Sequence, residues 1–142
     1  MGKGVFLEPW AWLALGHRKD THHMRVKKHY EELRRNTSRL YTSDFVLDEV
    51  ITLIFRRENY DEAVRFAEGI FKAAESRQLI IERITSDRFI SAWKLRKRFS
   101  DKPKISFTDI TSMVLMKEQG IESIFTEDDH FIQVGMGFQK VI

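Results

Sequence analysis

The chain has 142 residues, 42% of them apolar, which is enough for one compact domain with a real core and too few for two ordinary ones. It contains no cysteine, which excludes disulfide staples, thiol nucleophiles and cysteine zinc sites, and it fits a reducing compartment, so the cytoplasm is the expected location. A net charge of +3 with a pI near 9.2 admits nucleic acid as a partner, and no stretch approaches the roughly 20 apolar residues needed to cross a bilayer.

The first predicted element is a short apolar strand over residues 4–7. A helix follows at Pro9, because proline at the first helical position gives up only an N–H that has no partner there. Glu8 therefore falls at a strand-to-helix junction. With no small-residue cleavage site after it, the N-terminus reads as a strand entering a helix and not as a signal peptide. A charged helix is predicted over about 21–35, with Asp20 or Thr21 as its cap, then a brief strand at 40–42. Ser43 starts a helix to about Arg57, and another spans 60–76 with Ala63, Val64, Ala67, Ile70, Phe71 and Ala74 at helical spacing. A β-branched strand at 79–83 leads into a helix from Ser86 or Asp87 to about Arg98. After the connector Lys102-Pro103-Lys104, a helix over 106–118 is stopped by Gly120. Strands at 123–125 and 137–142 complete an α/β alternation, a single domain over 1–142 with a mostly parallel sheet of about five short strands covered by helices on both faces.

Four carboxylates interrupt apolar or hydroxyl-rich elements: Glu8, Glu49, Asp109 and Asp128. An unpaired buried carboxylate is strongly penalised, so each of them needs a partner. At about 100° per residue, Glu49 shares a helix face with Phe45, Val46 and Leu53, whereas Asp48 falls on the wetter side beside Thr52. A structural ion pair and a metal ion are both open as partners of Glu49. Ser106-Phe107-Thr108-Asp109 matches a capping box, with Asp109 as the reciprocal cap. Yet Ile110, Met113, Val114 and Met116 turn this helix start against the core, where its positive end also favours an anion. Thr126-Glu127-Asp128-Asp129-His130 follows a strand, at the sheet edge where open α/β sheets bind ligands. If Thr126 caps the next short helix and Asp129 is its reciprocal cap, Asp128 is left for chemistry. His130 before Phe131 reads as structural, with ligation as the alternative.

His22-His23-Met24 reads as surface, because no second ligand pair accompanies it. No glycine-rich phosphate loop or serine nucleophile elbow is present. Lys94, Arg96, Lys97, Arg98, Lys102 and Lys104 crowd into residues 94–104, a density that can neutralise several phosphates and can equally be a solvated helix end.

Taken in order, the segments Val5-Phe6-Leu7-Glu8 into Ala11-Trp12-Leu13-Ala14-Leu15, Asp20 with His23, Thr42-Ser43-Asp44, Val46-Leu47-Asp48-Glu49, Ser106-Phe107-Thr108-Asp109, and Thr126 with Asp128, His130 and Phe131 resemble the PIN domain family, most closely its bacterial VapC-type toxins. No single piece is specific, but the ordered set is, and it covers nearly the whole chain. The resemblance implies a three-layer α/β/α fold and a ribonuclease that hydrolyses RNA at a site of Glu8, Glu49, Asp109 and Asp128 holding Mg²⁺ or Mn²⁺. Oxygen ligands suit these hard cations.

The family usually carries Asp where this chain has Glu8. Glu is one methylene longer, roughly 1.5 Å of extra reach. The resemblance therefore implies a nuclease impaired at Glu8, with a non-catalytic RNA-binding or protein-interaction module as the alternative. It also implies an antitoxin protein as partner and a homodimer. Trp10, Trp12, Phe66 and Trp93 suit a core or an interface, with Trp10 expected in the core.

Overall fold

The computed structural model describes residues 4–36 and 38–142, so residues 1–3 and 37 of the expected single domain lie outside the described residues. The elements run β1 (Gly4–Leu7), α1 (Pro9–Gly16), α2 (His23–Arg35), β2 (Arg39–Ser43), α3 (Asp44–Arg57), α4 (Tyr60–Glu75), β3 (Ile80–Glu82), α5 (Ser86–Arg98), α6 (Phe107–Gln119), β4 (Ser123–Phe125), α7 (His130–Gln133) and β5 (Gln139–Val141). The strands form one sheet in the order β3-β2-β1-β4-β5, and every pairing is parallel. Helices flank it in a PIN-like α/β/α arrangement. No helix among the described residues is long and apolar enough to cross a membrane.

Local chemistry sets most boundaries. The side chains of Ser43, Asn59, Thr85 and Ser106 each accept a hydrogen bond from the backbone N–H three residues on, so α3, α4, α5 and α6 all start on a capped turn. Gly120 ends α6 at φ 70, a left-handed conformation that glycine adopts without a Cβ clash. The start of α2 differs from expectation: neither Asp20 nor Thr21 caps it, because Asp20 Oδ1 accepts from His22 N (2.8 Å) in the preceding turn.

β1 is the central strand and is buried along its whole length, as a parallel strand covered on both faces must be. α1 packs on α2 and α3, α3 packs on α4 and α6, and α5 packs on α6. The end of α1 comes close enough to its neighbours that a Cβ on Gly16 would stand 2.7 Å from the Phe66 ring and 2.9 Å from Ile54. Arg88 of α5 ties three elements by binding Glu82 of β3 (3.1 Å), the Arg83 carbonyl (2.6 Å) and Glu118 of α6.

Three placements correct the expectations. His23 is buried, its Nδ1 2.7 Å from the Ala14 carbonyl, so the His22-His23 pair does not lie together on the surface. Trp10 is half-buried against the His22 ring (5.3 Å between centroids), whereas Trp12 belongs to the core. Phe71 leaves the apolar stripe of α4 and is exposed, while Ala63 and Ile70 are buried as expected.

Candidate metal centre

The strand order reverses at β1. The chain steps outward through β2 and β3, then crosses back to lay β4 on the other side of β1. A crevice opens at the C-terminal ends of strands flanking such a switch point. Leu7 pairs with Phe125 at the end of the β1–β4 ladder, so the next residues, Glu8 and Thr126, stand side by side at its mouth.

Glu8 is 5% exposed and serves as the N-cap of α1, with Oε1 accepting from Trp10 N (2.7 Å), and it also bonds the Thr126 hydroxyl. Behind it the fully buried Thr42 accepts from Trp12 Nε1 (3.1 Å) and donates to the Leu7 carbonyl (2.9 Å), fixing the strand-to-helix junction. Thr126 Oγ1 accepts from Asp128 N (3.0 Å), and Asp128 Oδ1 accepts from His130 N (2.8 Å), which folds this loop back over the strand end. The His130 ring then lies between two acids, Nδ1 standing 3.2 Å from Asp109 Oδ2 and 3.3 Å from Asp128 Oδ2. Asp109, Asp128 and His130 each present one ligand atom within 4.8 Å of the others. Glu49, on α3, faces the same group and feels the Asp109 charge.

The electrostatics are those of an uncompensated cluster. Burial, then the Asp109 charge, pushes the Glu8 carboxyl up to about 8. Burial also raises Asp109 against the opposing His130 hydrogen bond, and burial with Asp109 and Asp48 nearby raises Glu49. Among the described residues no Lys or Arg side chain bonds any of the four carboxylates. Carboxylate oxygens with one imidazole and no basic neighbour make a donor set that a divalent cation fits.

The structure therefore groups Asp109 and Asp128 with His130, and Glu8 and Glu49 lie near enough to feel the Asp109 charge. The ion pair open to Glu49 is not present among the described residues, and Asp48 is exposed. The Ser106 hydroxyl caps Asp109 N (3.0 Å), yet the Asp109 carboxylate also reaches His130. Two expectations at the loop are corrected. Thr126 does not cap α7, and Asp129 is not a reciprocal cap: its side chain takes Lys140 Nζ (2.6 Å) instead. Glu127 is held by Arg25 (2.9 Å), so Asp128 is the loop acid left beside His130. His130, read from sequence as structural, stands inside the cluster; the signal available was its place two residues beyond Asp128 after a strand.

Of the basic cluster, Arg96 is committed elsewhere, donating to the carbonyls of Phe99, Lys102 and Ile105 and closing the loop after α5. Lys102 pairs with Asp101 (3.0 Å), whereas Lys94, Lys97, Arg98 and Lys104 are exposed and form no ion pair among the described residues. A groove of about 1230 Å³ lies by the starts of β2 and β3, lined in part by Arg34, Arg35, Arg39 and Arg77, away from the acids.

The profile of the PIN domain matches residues 6–136. The 23S rRNA-specific endonuclease VapC20 of Mycobacterium tuberculosis, in strains CDC 1551 / Oshkosh and H37Rv alike, is 30% identical over 131 residues, covering 92% of this chain and 94% of the relative. The crystal structure of VapC20, described as a sarcin-ricin loop cleaving toxin, is similar with a TM-score of 0.79 at 29% identity, covering 97% of this chain and 98% of that one. PAE2754 from Pyrobaculum aerophilum shares the fold, with a TM-score of 0.62 at 14% identity over 99% of this chain and 91% of its own.

Proposed function

This chain belongs to the PIN domain family, and from that membership we propose that it is a metal-dependent endoribonuclease, the VapC-type toxin of a toxin–antitoxin pair. The observation that carries the reading is the grouping of Asp109 and Asp128 around His130, with Glu8 and Glu49 near enough to feel the Asp109 charge and no Lys or Arg side chain bonded to any of the four among the described residues. Asp109, Asp128 and Glu8 would hold Mg²⁺ or Mn²⁺, with His130 as a further ligand or as the donor that aims the two aspartates. When bound, such an ion stabilises the charge that develops on the scissile phosphate. Glu49, on the α3 wall and less buried, orients the attacking water for in-line displacement. Thr126 keeps Glu8 and Asp128 in register, and Thr42 and Trp12 hold the junction that carries Glu8.

The similarity to a 23S rRNA-specific, sarcin-ricin loop cleaving toxin supports ribosomal RNA as the substrate and an antitoxin as the partner. A cytoplasmic homodimer acting as one PIN-like domain completes the reading. Incubating the chain with total ribosomal RNA, with Mn²⁺ and then with chelator, tests it. Cleavage that needs the metal and disappears in Asp109→Asn and Asp128→Asn is the expected result, and uncut RNA in every condition overturns it.

A second reading rests on Glu8. Its side chain is one methylene longer than the Asp that the resemblance expects there, and its carboxylate is engaged by Trp10 N as the cap of α1. This supports an impaired centre, and in the limit a module that binds RNA or protein without cutting.

A further inference from the structure

Aromatic rings cluster where the N-terminal turns of α3 and α6 meet α5. Phe107 stands two residues before Asp109 at the start of α6, and Phe45 lies one helical turn before Glu49 on α3, so both rings ride on the segments that carry carboxylates. With Asp44, Asp48 and Thr108 they line a cleft of about 410 Å³. The Phe89 ring of α5 meets both edge to face, 5.1 Å from Phe107 and 6.2 Å from Phe45 between centroids.

From Phe89 the row continues along α5 at helical spacing. Phe89, Trp93 and Lys97 are successive i, i+4 neighbours, and together they span roughly 12 Å of helix. Phe89 is 46% exposed and Trp93 53% exposed, and the Lys97 ammonium stands 5.8 Å from the Trp93 ring centroid. Exposed Lys94 and Arg98 flank the row without an ion pair among the described residues. An apolar helix seated here would leave these cations facing its apolar side. Unpaired nucleobases fit better, because every base has a face to stack on a ring and a phosphate that a neighbouring cation can meet.

We infer that Phe89 and Trp93 form a stacking track for unpaired bases of single-stranded RNA beside the acidic centre, with Lys97, Lys94 and Arg98 on the phosphates. The track rests on the ribonuclease reading and specifies its substrate: the RNA enters single-stranded, and its bases are held along α5 as its backbone reaches the carboxylates.

The test is binding in chelator, so that no cleavage intervenes. The full chain is titrated by anisotropy with labelled oligo(A) of about 12 nucleotides, within the site sizes of single-strand binders, and with the same oligonucleotide carrying one abasic residue at each position in turn. Phe89→Ala and Trp93→Ala are each expected to weaken oligo(A) binding about tenfold. An abasic residue at a stacked position weakens the unsubstituted chain similarly and loses its effect in the matching variant. Circular dichroism and light scattering report fold and oligomeric state, and Trp93→Ala, at the more exposed position, serves if Phe89→Ala does not fold.

Unchanged affinity in well-folded variants, or indifference of the unsubstituted chain to every abasic position, overturns the track. So does a changed oligomeric state with unchanged RNA affinity, which makes this face a contact between copies. If the abasic pattern holds but Mn²⁺ brings no cleavage, the ribonuclease reading fails and the track stands. If cleavage occurs with the same KM in both variants, the track fails and the ribonuclease reading stands.

Discussion

Glu8 and Thr126 are hydrogen-bonded across the ends of β1 and β4, one residue beyond the Leu7–Phe125 pair that closes the ladder. Thr126 is fully buried and also accepts from Asp128 N, so one hydroxyl serves two of the four carboxylate positions. Thr126→Val keeps the volume and removes both bonds. We expect it to lower unfolding free energy by about 1–3 kcal/mol in urea titrations, the penalty of a buried polar group left without its partner. Mn²⁺ affinity should fall with it, and unchanged stability would show that the hydroxyl is dispensable.

The raised Glu8 carboxyl makes stability and metal binding depend on pH in a defined direction. Its pKa of about 8 in the fold exceeds the ordinary 4.5, so the fold prefers the protonated form. That contribution, at most about 5 kcal/mol, is complete below pH 4.5 and is lost as pH rises through 8. Asp109 and Glu49 shift the same way. The metal-free protein should therefore melt at a lower temperature at pH 8.5 than at pH 6, and Mn²⁺ should raise Tm more at pH 8.5. Glu8→Gln should flatten both trends. An equal Mn²⁺ effect at both pH values would remove Glu8 from the centre.

Replacing Glu8 by Asp tests the proposed impairment directly. A misplacement near 1 Å in metal-assisted chemistry costs about 100-fold in rate, so kcat for RNA cleavage by Glu8→Asp is expected to exceed that of the unsubstituted chain by up to that factor. Equal rates would sink the impairment while leaving the nuclease reading intact.

His130 Nδ1 is hydrogen-bonded to Asp109 and stands 3.3 Å from Asp128, so its removal leaves those oxygens unaimed. His130→Ala should weaken Mn²⁺ binding by about tenfold or more in calorimetry, with the circular dichroism spectrum unchanged. A Kd within twofold of the original would make the ring a bystander.

Gly16 supplies a control far from the acids. A side chain there meets Phe66 and Ile54, so Gly16→Ala should cost about 1–3 kcal/mol of stability. Mn²⁺ affinity, measured below the melting range, should stay the same.

Much of this was legible in the residues, and the failures have physical causes. The starts at Ser43 and Ser106, the stop at Gly120 and the proline at the first position of α1 act within one helical turn, so sequence spacing finds them. The helical wheel likewise separated Glu49 from Asp48, because the face is a property of one helix. What failed depends on contacts between elements. Asp129 was read as a cap although its partner, Lys140, comes from a strand two elements away. Arg96 was grouped with solvent-facing cations because nothing local tells that three carbonyls of the following loop curl back to meet it. His130 was taken as structural because its two acids come together only once α6 and β4 are both in place.

The place of β1 between β2 and β4 bears on when in folding the centre can form. Residues 5–7 have residues 123–125 of β4 as neighbours, more than a hundred positions along the chain, and Asp128 and His130 come later still. Contacts so distant in sequence close late in folding. A truncated chain that stops short of residue 128 thus holds Glu8, Glu49 and Asp109 without the loop that brings Asp128 and His130 to Asp109, so the grouping depends on a segment more than a hundred residues beyond β1.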